Sequence, residues 1–593
     1  MQWLQLAQIL IVNALINYAY AQEMNKNDTK YSLPVITSDL KIAADLGHRI
    51  IKKGGNAVDA AISTTIAVGA INSFASGLGG GGFLLIYLPD GQCFEYNFRE
   101  RAPMSVNIKN YTNAKDSRLG RKAVAIPSEI LGLFTVHSNY GALPWCELFP
   151  EIIEMLRSGF HVPRILSEKL KEFEHIIRSD KGLSDTFIKN GKVASENDIL
   201  TRPNLANTLE ILATDPSSFY FGSVGKSLLS FINEDGVIIT PDEFKQIHVI
   251  KKSVVPKVVN NTRVYAPSLP TTGYMLGLAM SVFDKLKLDK NTTEEELQVY
   301  LIKIYNELYS IRTQLEDLQD ETKNIKSLMC HTQQKVVDQI VRNINEKKPF
   351  TPHKNNLAED HGTTHINVMD AQGMMVALTS TINNYWGAGL MDPVTGIILN
   401  NQIDDFAFTE FSTLNGISSS RSGKNHIMPF KQPLSSAMPA FIMKDSDIYL
   451  LGASGGIRIP TAVISTLARI FISSSTIKEA ILHPRLHYQG GHMIKLENKY
   501  THKLPNMGIN WNVIKDKQGE ISSCVHIIKY NTIDKFAVAS SDDRKRGAAV
   551  GIPFEDSEFS RDKNENLTKK RTQSYQFVTL PYTLTFYRNH NKY

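Results

Sequence analysis

The stretch from Ser38 to Ala70, SDLKIAADLGHRIIKKGGNAVDAAISTTIAVGA, constrains this chain more than any other. Its apolar spacing predicts two helices broken at Gly54-Gly55. The second is so uniformly small and apolar that it has no face to give to water. Such a helix is stable only when covered, which suits a helix laid against a sheet. Ser76-Gly77-Leu78 and four glycines, Gly79 to Gly82, follow and run into FLLIYL, a buried strand by length and apolar content. A phosphate-binding loop is excluded, because that motif follows a strand and ends in Gly-Lys-Ser/Thr. The glycines are read as close backbone packing.

With 65 basic and 59 acidic residues the 593-residue chain carries a dispersed net charge of +6, which argues against nucleic acid as a partner. Hydrophobic residues at 42% and charged residues at 21% exclude a disordered or low-complexity chain. Cys93, Cys146, Cys330 and Cys524 lie far apart in no zinc or redox spacing, so the fold must hold by its core. Residues 1–21 carry an apolar run from Leu4 to Ile16 and end in Ala19-Tyr20-Ala21, which reads as a secretory signal peptide. An uncleaved membrane anchor is disfavoured, since the run falls short of the about 20 residues needed to cross a bilayer. A secreted, extracellular chain is expected. Sequons at Asn27, Asn110, Asn260, Asn291 and Asn566 agree with that as glycosylation sites.

Residues 285–350 are charged, with apolar residues at spacings of three and four, and predict surface helices. Past Gly362 the texture changes to strands, HINV, MMVALT, GIILN, DIYLL and FAVAS, separated by turns. Helix before and sheet after is compatible with a layered α/β body. The polar residues from about 555 to 593 read as an appended tail. Within this region GTTHINVMDAQGMMVALTSTINN scans as strand, turn at Asp370 to Gly373, strand, which brings Thr381 to within about one register step of Thr363. On spacing alone this is a plain Thr-rich hairpin, since Thr favours strands. A His361/His365 metal pair is weaker still, because that spacing shares a face only on a helix.

The segment GTTH, together with KKGGNAVDAA, SGLGGGGF, NFRERAP, TSTINN, ILNNQIDDF, QPLSSAMPA, GASGGIR, HPRLHYQ and DDRKRG, resembles the γ-glutamyltransferases, N-terminal nucleophile hydrolases, in order and approximate spacing over about residues 33–553. The resemblance implies a four-layer αββα sandwich, built as one interleaved body from two subunits of an autoprocessed precursor. Cleavage between Gly362 and Thr363 would leave a large subunit, 22–362, and a small catalytic one, 363–593, associated as a heterodimer. A Thr hydroxyl needs an adjacent base to take its proton, and the freed α-amine of Thr363 can serve, since α-amines in model peptides titrate near 7.7 to 8.0.

The resemblance also implies the remaining site. Arg99 would pair with the α-carboxylate of a γ-glutamyl substrate, helped by Ser435 and Ser436, while Asn383, Gln402 and Asp405 would receive the α-ammonium. Gln402 stands where some relatives have Glu, leaving this site one charge short of theirs. Backbone N–H groups at Gly455 and Gly456 would hold the oxyanion, and Thr381 would steady Thr363. Glutathione and other γ-glutamyl compounds are the implied donors, amino acids or dipeptides the acceptors, with no metal and no organic cofactor. Singly, Arg99-Glu100-Arg101 would read as a surface charge cluster, Ser435-Ser436 as a loop and Gly455-Gly456 as a turn. One departure is Pro267 to Gly273, where the family has a Ser-Ser-Gly-Gly stretch, expected to bear on stability more than chemistry.

Overall fold

The computed structural model describes residues 29–236, 238–317, 333–346, 349–352, 362–408, 424–517 and 523–554. The expected signal, the tail beyond 554, Asn27, Asn566, Cys330 and His361 lie outside these residues. Thirteen strands form the large sheet, here numbered among themselves: β1 (Lys30–Ser38), β2 (Gly81–Tyr87), β3 (Cys93–Phe98), β4 (Ile250–Ser253), β5 (Lys257–Val259), β6 (Thr262–Tyr265), β7 (Gly362–Met369), β8 (Met375–Asn383), β9 (Ala440–Lys444), β10 (Asp447–Ser454), β11 (Cys524–Asn531), β12 (Ala537–Ser541) and β13 (Ala548–Pro553). Their order is β4-β3-β2-β8-β7-β1-β12-β11-β10-β9-β6-β5, with β13 also paired to β1. Strand β1 belongs to both halves. Its first residues pair with β12 (Tyr31 with Ala537) and its last with β7 (Thr37 with Asn367).

The sheet is therefore two sheets hinged at β1 and laid face to face, because alternate side chains of each strand enter different cores. Leu84 and Ile86 of β2 and Ile366 and Val368 of β7 point outward, into the core under the helices α1 (Lys41–Lys52), α2 (Ala57–Ile71) and α3 (Glu129–Tyr140). Leu451 and Ala453 of β10 and Val525 and Ile527 of β11 point the other way. They meet α4 (Gly273–Lys285), α5 (Glu294–Arg312), α6 (Gln333–Asn345) and α7 (Ile459–Phe471). Between the sheets, Leu85, Met369 and Ala377 from one half pack on Phe441, Leu450 and Ile528 from the other. Three cores separate four layers, the expected αββα sandwich. Strands from before Gly362 pair with strands from after it, as β2 with β8 and β6 with β9, so the two expected subunits are interleaved.

The predicted helices and the break at Gly54-Gly55 are as read, and every residue of α2 is buried. The glycine run is close packing: a Cβ on Gly80 would lie 2.1 Å from the Thr381 carbonyl oxygen, and one on Gly82 2.2 Å from that of Thr379. Two expectations change. Gly396–Asn400 (GIILN) is a loop with one bridge, Met391 to Ile398, since its polar groups serve other segments: Asn400 Nδ2 bonds the carbonyls of Gly79 and Ala125. Helix α5 is sunk deeper than a surface helix, with the Tyr305 and Tyr309 hydroxyls donating to the carbonyls of Thr461 and Ile457.

One stretch between the sheets is polar. His365 lies fully buried, its ring nitrogens 2.9 Å from Thr379 Oγ1 and 3.0 Å from Asn367 Oδ1, and its ring stacks on His526 at 6.4 Å. It is a structural histidine, which removes it as a metal ligand. Burial, followed by repulsion from His526, pushes its pKa down to about 3. The folded state thus refuses a proton that the unfolded chain accepts near 6.5, so this contribution to stability is present above pH 6.5 and lost as pH falls toward 3. The expected outcome is an imidazole of His365 that stays neutral in an NMR titration down to about pH 4, with unfolding free energy falling by a few kcal/mol across the same window. A His365 titrating near 6.5 would contradict this packing.

Candidate active site

Thr363 is the second residue of β7, at the centre of the first sheet. The β7–β8 register pairs Gly362 with Asn383 and Thr364 with Ser380, and the irregularity between them turns Thr363 toward Thr381. The Thr363 hydroxyl donates to the Gly362 carbonyl at 2.7 Å and lies 3.4 Å from Thr381 Oγ1. Thr381 donates to the same carbonyl and accepts from the Asn383 N–H at 2.8 Å. Two hydroxyls therefore converge on one peptide oxygen, all of it buried.

Arg99, Asp405 and Gln402 come together although two of them lie some 300 positions from the third. Arg99 follows β3 and is 1% exposed. Its Nη2 meets Asp405 Oδ2 at 2.6 Å and the Leu434 carbonyl at 3.0 Å, and its Nε reaches the Pro433 carbonyl at 3.3 Å. Gln402 Nε2 donates to the same Asp405 oxygen at 2.5 Å, while Gln402 Oε1 is buried with no hydrogen-bond partner among the described residues. Asn383, at the end of β8 with φ 76°, donates through Nδ2 to the Asn401 carbonyl at 2.9 Å. A cation and an anion side by side, with a spare amide oxygen, match the adjacent carboxylate and ammonium of an α-amino acid head.

The Arg99-Glu100-Arg101 cluster is buried, the opposite of its reading in isolation. Neither Glu100 side-chain oxygen has a hydrogen-bond partner among the described residues beyond its own backbone, and Glu100 stands 3.8 Å from Arg99 Nη1. Burial pushes its pKa up to about 7 against the pull of Arg99. Ser435 and Ser436 are likewise buried, and the Pro267 to Gly273 segment holds them: Ser435 N–H donates to Pro270 O at 2.9 Å, and Thr272 Oγ1 donates to Ser436 O at 2.9 Å. That departure from the family pattern thus supports the serine pair directly, beyond the stability role expected of it. Gly455 and Gly456 leave β10 for α7 with φ of 120° and 56°, a conformation open to glycine at little cost, and their N–H groups lie at a helix N-terminal end that favours negative charge.

The sequence reading did not single out Lys545. Its Nζ lies 2.5 Å from Thr363 O, 2.7 Å from Ser454 Oγ and 3.2 Å from Asp39 Oδ2. This ammonium ties the start of β7 to the end of β10, setting the glycine turn beside Thr363. Asp39 is fully buried, which would raise its pKa, but Lys545 and His526 outweigh burial and hold it well below the usual range. Lys545 lay inside the quoted DDRKRG motif, where charged neighbours make it look solvated. Of the sequons, Asn110, Asn260 and Asn291 are exposed. No helix among the described residues is long and apolar enough to cross a membrane, and Cys93, Cys146 and Cys524 are free thiols. Glu294, His483 and His502 bring candidate metal-ligand atoms within 4.8 Å of one another, but Arg469 takes both Glu294 oxygens at 2.7 Å.

A family profile described as gamma-glutamyltranspeptidase matches residues 43–552. The chain belongs to the gamma-glutamyltranspeptidase family. It is 34% identical over 473 residues to glutathione hydrolase proenzyme 1 of Schizosaccharomyces pombe, covering 77% of this chain and 74% of that one. It is 33% identical over 517 residues to scoloptoxin SSD14 of Scolopendra dehaani, covering 84% and 88%. In fold it is similar to a cephalosporin acylase from Bacillus halodurans, with a TM-score of 0.76, 18% identity and coverage of 88% and 97%.

Replacing Lys545 with Met leaves Asp39 a buried charge stripped of its ammonium partner. The expected loss in chemical denaturation is about 3–5 kcal/mol, part of it recovered in the Asp39→Asn, Lys545→Met double variant. A loss under about 1 kcal/mol would mean that the ammonium does not hold this junction.

Proposed function

We propose that this chain is the precursor of a secreted γ-glutamyltransferase that also hydrolyses glutathione. The observation that carries the reading is the Thr363 hydroxyl held 2.7 Å from the Gly362 carbonyl oxygen, with Thr381 on the same oxygen. In the precursor the hydroxyl attacks the Gly362 carbonyl carbon and the peptide nitrogen leaves as the amine of Thr363. Water then hydrolyses the resulting ester, giving residues 22–362 a new carboxylate and residues 363–593 a new amino terminus, and the two pieces stay associated. Before this step the nitrogen is an amide and cannot act as a base, so processing is also activation.

In the mature enzyme the amine of Thr363 takes the hydroxyl proton as the oxygen attacks the γ-amide of glutathione or a conjugate. Arg99, Ser435 and Ser436 hold the α-carboxylate; Asn383, Gln402 and Asp405 hold the ammonium. Gly455 and Gly456 stabilise the oxyanion, an effect worth about 2.7–4 kcal/mol per donor. The γ-glutamyl ester on Thr363 passes to water, releasing glutamate, or to the amine of an amino acid or dipeptide. The amino-terminal apolar run supports export, and the exposed Asn110, Asn260 and Asn291 are compatible with glycosylation.

Turnover of a γ-glutamyl anilide tests the reading. Thr363→Ala is expected to abolish it. Arg99→Ala is expected to lower kcat/KM by roughly ten- to a hundred-fold, the worth of a charge-assisted hydrogen bond. Full activity in Arg99→Ala would point to an acylase of different specificity, and a wild-type protein without turnover would point to a binding protein.

A further inference from the structure

Arg312 is the last residue of α5, and its surroundings set it apart from the other arginines near the site. Arg99 is neutralised by Asp405. Arg312 Nη2 donates to the hydroxyl oxygen of Ser436 at 3.2 Å, and its Nε is buried with no acceptor among the described residues. No carboxylate among those residues forms an ion pair with it. The plain alternative is a cation complementing its own helix C-terminus. The last carbonyls of α5, however, are already taken by the Thr313 N–H, which donates to Tyr309 O and Ser310 O at 3.2 Å, and the Arg312 side chain bonds away from the helix, to Ser436.

We propose that Arg312 is a positioning residue for the γ-glutamyl head group, acting through Ser436. The proposal rests on the function argued above. A guanidinium only donates, whereas a serine hydroxyl has one proton and two lone pairs. With Arg312 on its oxygen, Ser436 must send its proton to another acceptor, and at 5% exposure it has little water to choose. The acceptor that fits is the substrate α-carboxylate. The donated bond polarises the hydroxyl, and the positive charge behind it favours the anion in front. The end of α5 is well placed to hold this geometry. The Tyr309 hydroxyl, one turn earlier, donates at 2.5 Å to Ile457 O in the turn that follows Gly455-Gly456. One helix end thus touches both Ser436 and the turn that follows Gly455-Gly456.

The test is steady-state kinetics of Arg312→Met, Arg312→Lys, Ser436→Ala and the Met/Ala double variant. Two substrates are used: a γ-glutamyl anilide, and the same anilide with its α-carboxylate converted to a carboxamide. Intact mass confirms that each variant matures. On the carboxylate substrate Arg312→Met is expected to raise KM by roughly ten-fold with kcat within about two-fold, and Arg312→Lys to recover part of the loss. The Met substitution should add little once Ser436 is Ala, and should cost little on the carboxamide. Equal losses on both substrates, full additivity with Ser436→Ala, or a fall in kcat at unchanged KM would overturn the proposal. If the wild type turns over neither substrate, the functional reading fails, and calorimetric binding of L-glutamate decides about Arg312. A weaker affinity in Arg312→Met that L-isoglutamine does not share supports it, and unchanged affinity or no binding overturns it.

Discussion

A single buried ammonium, that of Lys545, is the constraint on which the site depends. It joins the carbonyl of Thr363, the hydroxyl of Ser454 and the carboxylate of Asp39, groups from three strands or strand ends in both halves of the sheet. Two sheets packed through Leu85, Phe441 and their neighbours could slide by a register step at modest cost, because apolar contact is not directional. A charge held by three oxygens cannot slide. It fixes the start of β7 against the end of β10, and with that the position of the Thr363 hydroxyl relative to the glycine turn.

The same logic explains why the site draws on residues from all along the chain. Asp39 and Thr363 meet at Lys545, and Arg99 meets Asp405, because strands on either side of Gly362 are paired with each other. The hinge at β1 also brings the second sheet over the first. A cut at Gly362 would leave these pairings intact, as they do not pass through that peptide bond. The buried ion pair of Arg99 with Asp405 has a cost in desolvation that a stability argument alone would not justify. Under the proposed function, recognition of a neighbouring anion and cation supplies the reason.

Much of the fold was legible in the sequence because apolar periodicity reports burial. The all-apolar α2, the glycine run before β2 and the hairpin around Asp370 to Gly373 could be read from composition and turn chemistry. GIILN could not, since its apolar text is that of a strand and only the positions of Gly79 and Ala125 make it a loop. The site was legible only through resemblance. Arg99-Glu100-Arg101 looks solvated in one dimension and is buried in three, because burial of charge depends on partners hundreds of residues away. Lys545 and Arg312 escaped for that reason: nothing local distinguishes a lysine that clamps Thr363 from one that faces water.

The central claim, that Thr363 is a nucleophile released by a cut in its own chain, is tested most directly by denaturing intact mass of the purified protein after glycan removal. The account expects two polypeptides, the smaller beginning at Thr363, and a single uncut chain from Thr363→Ala. A wild-type protein that turns over a γ-glutamyl amide as one intact chain would contradict it.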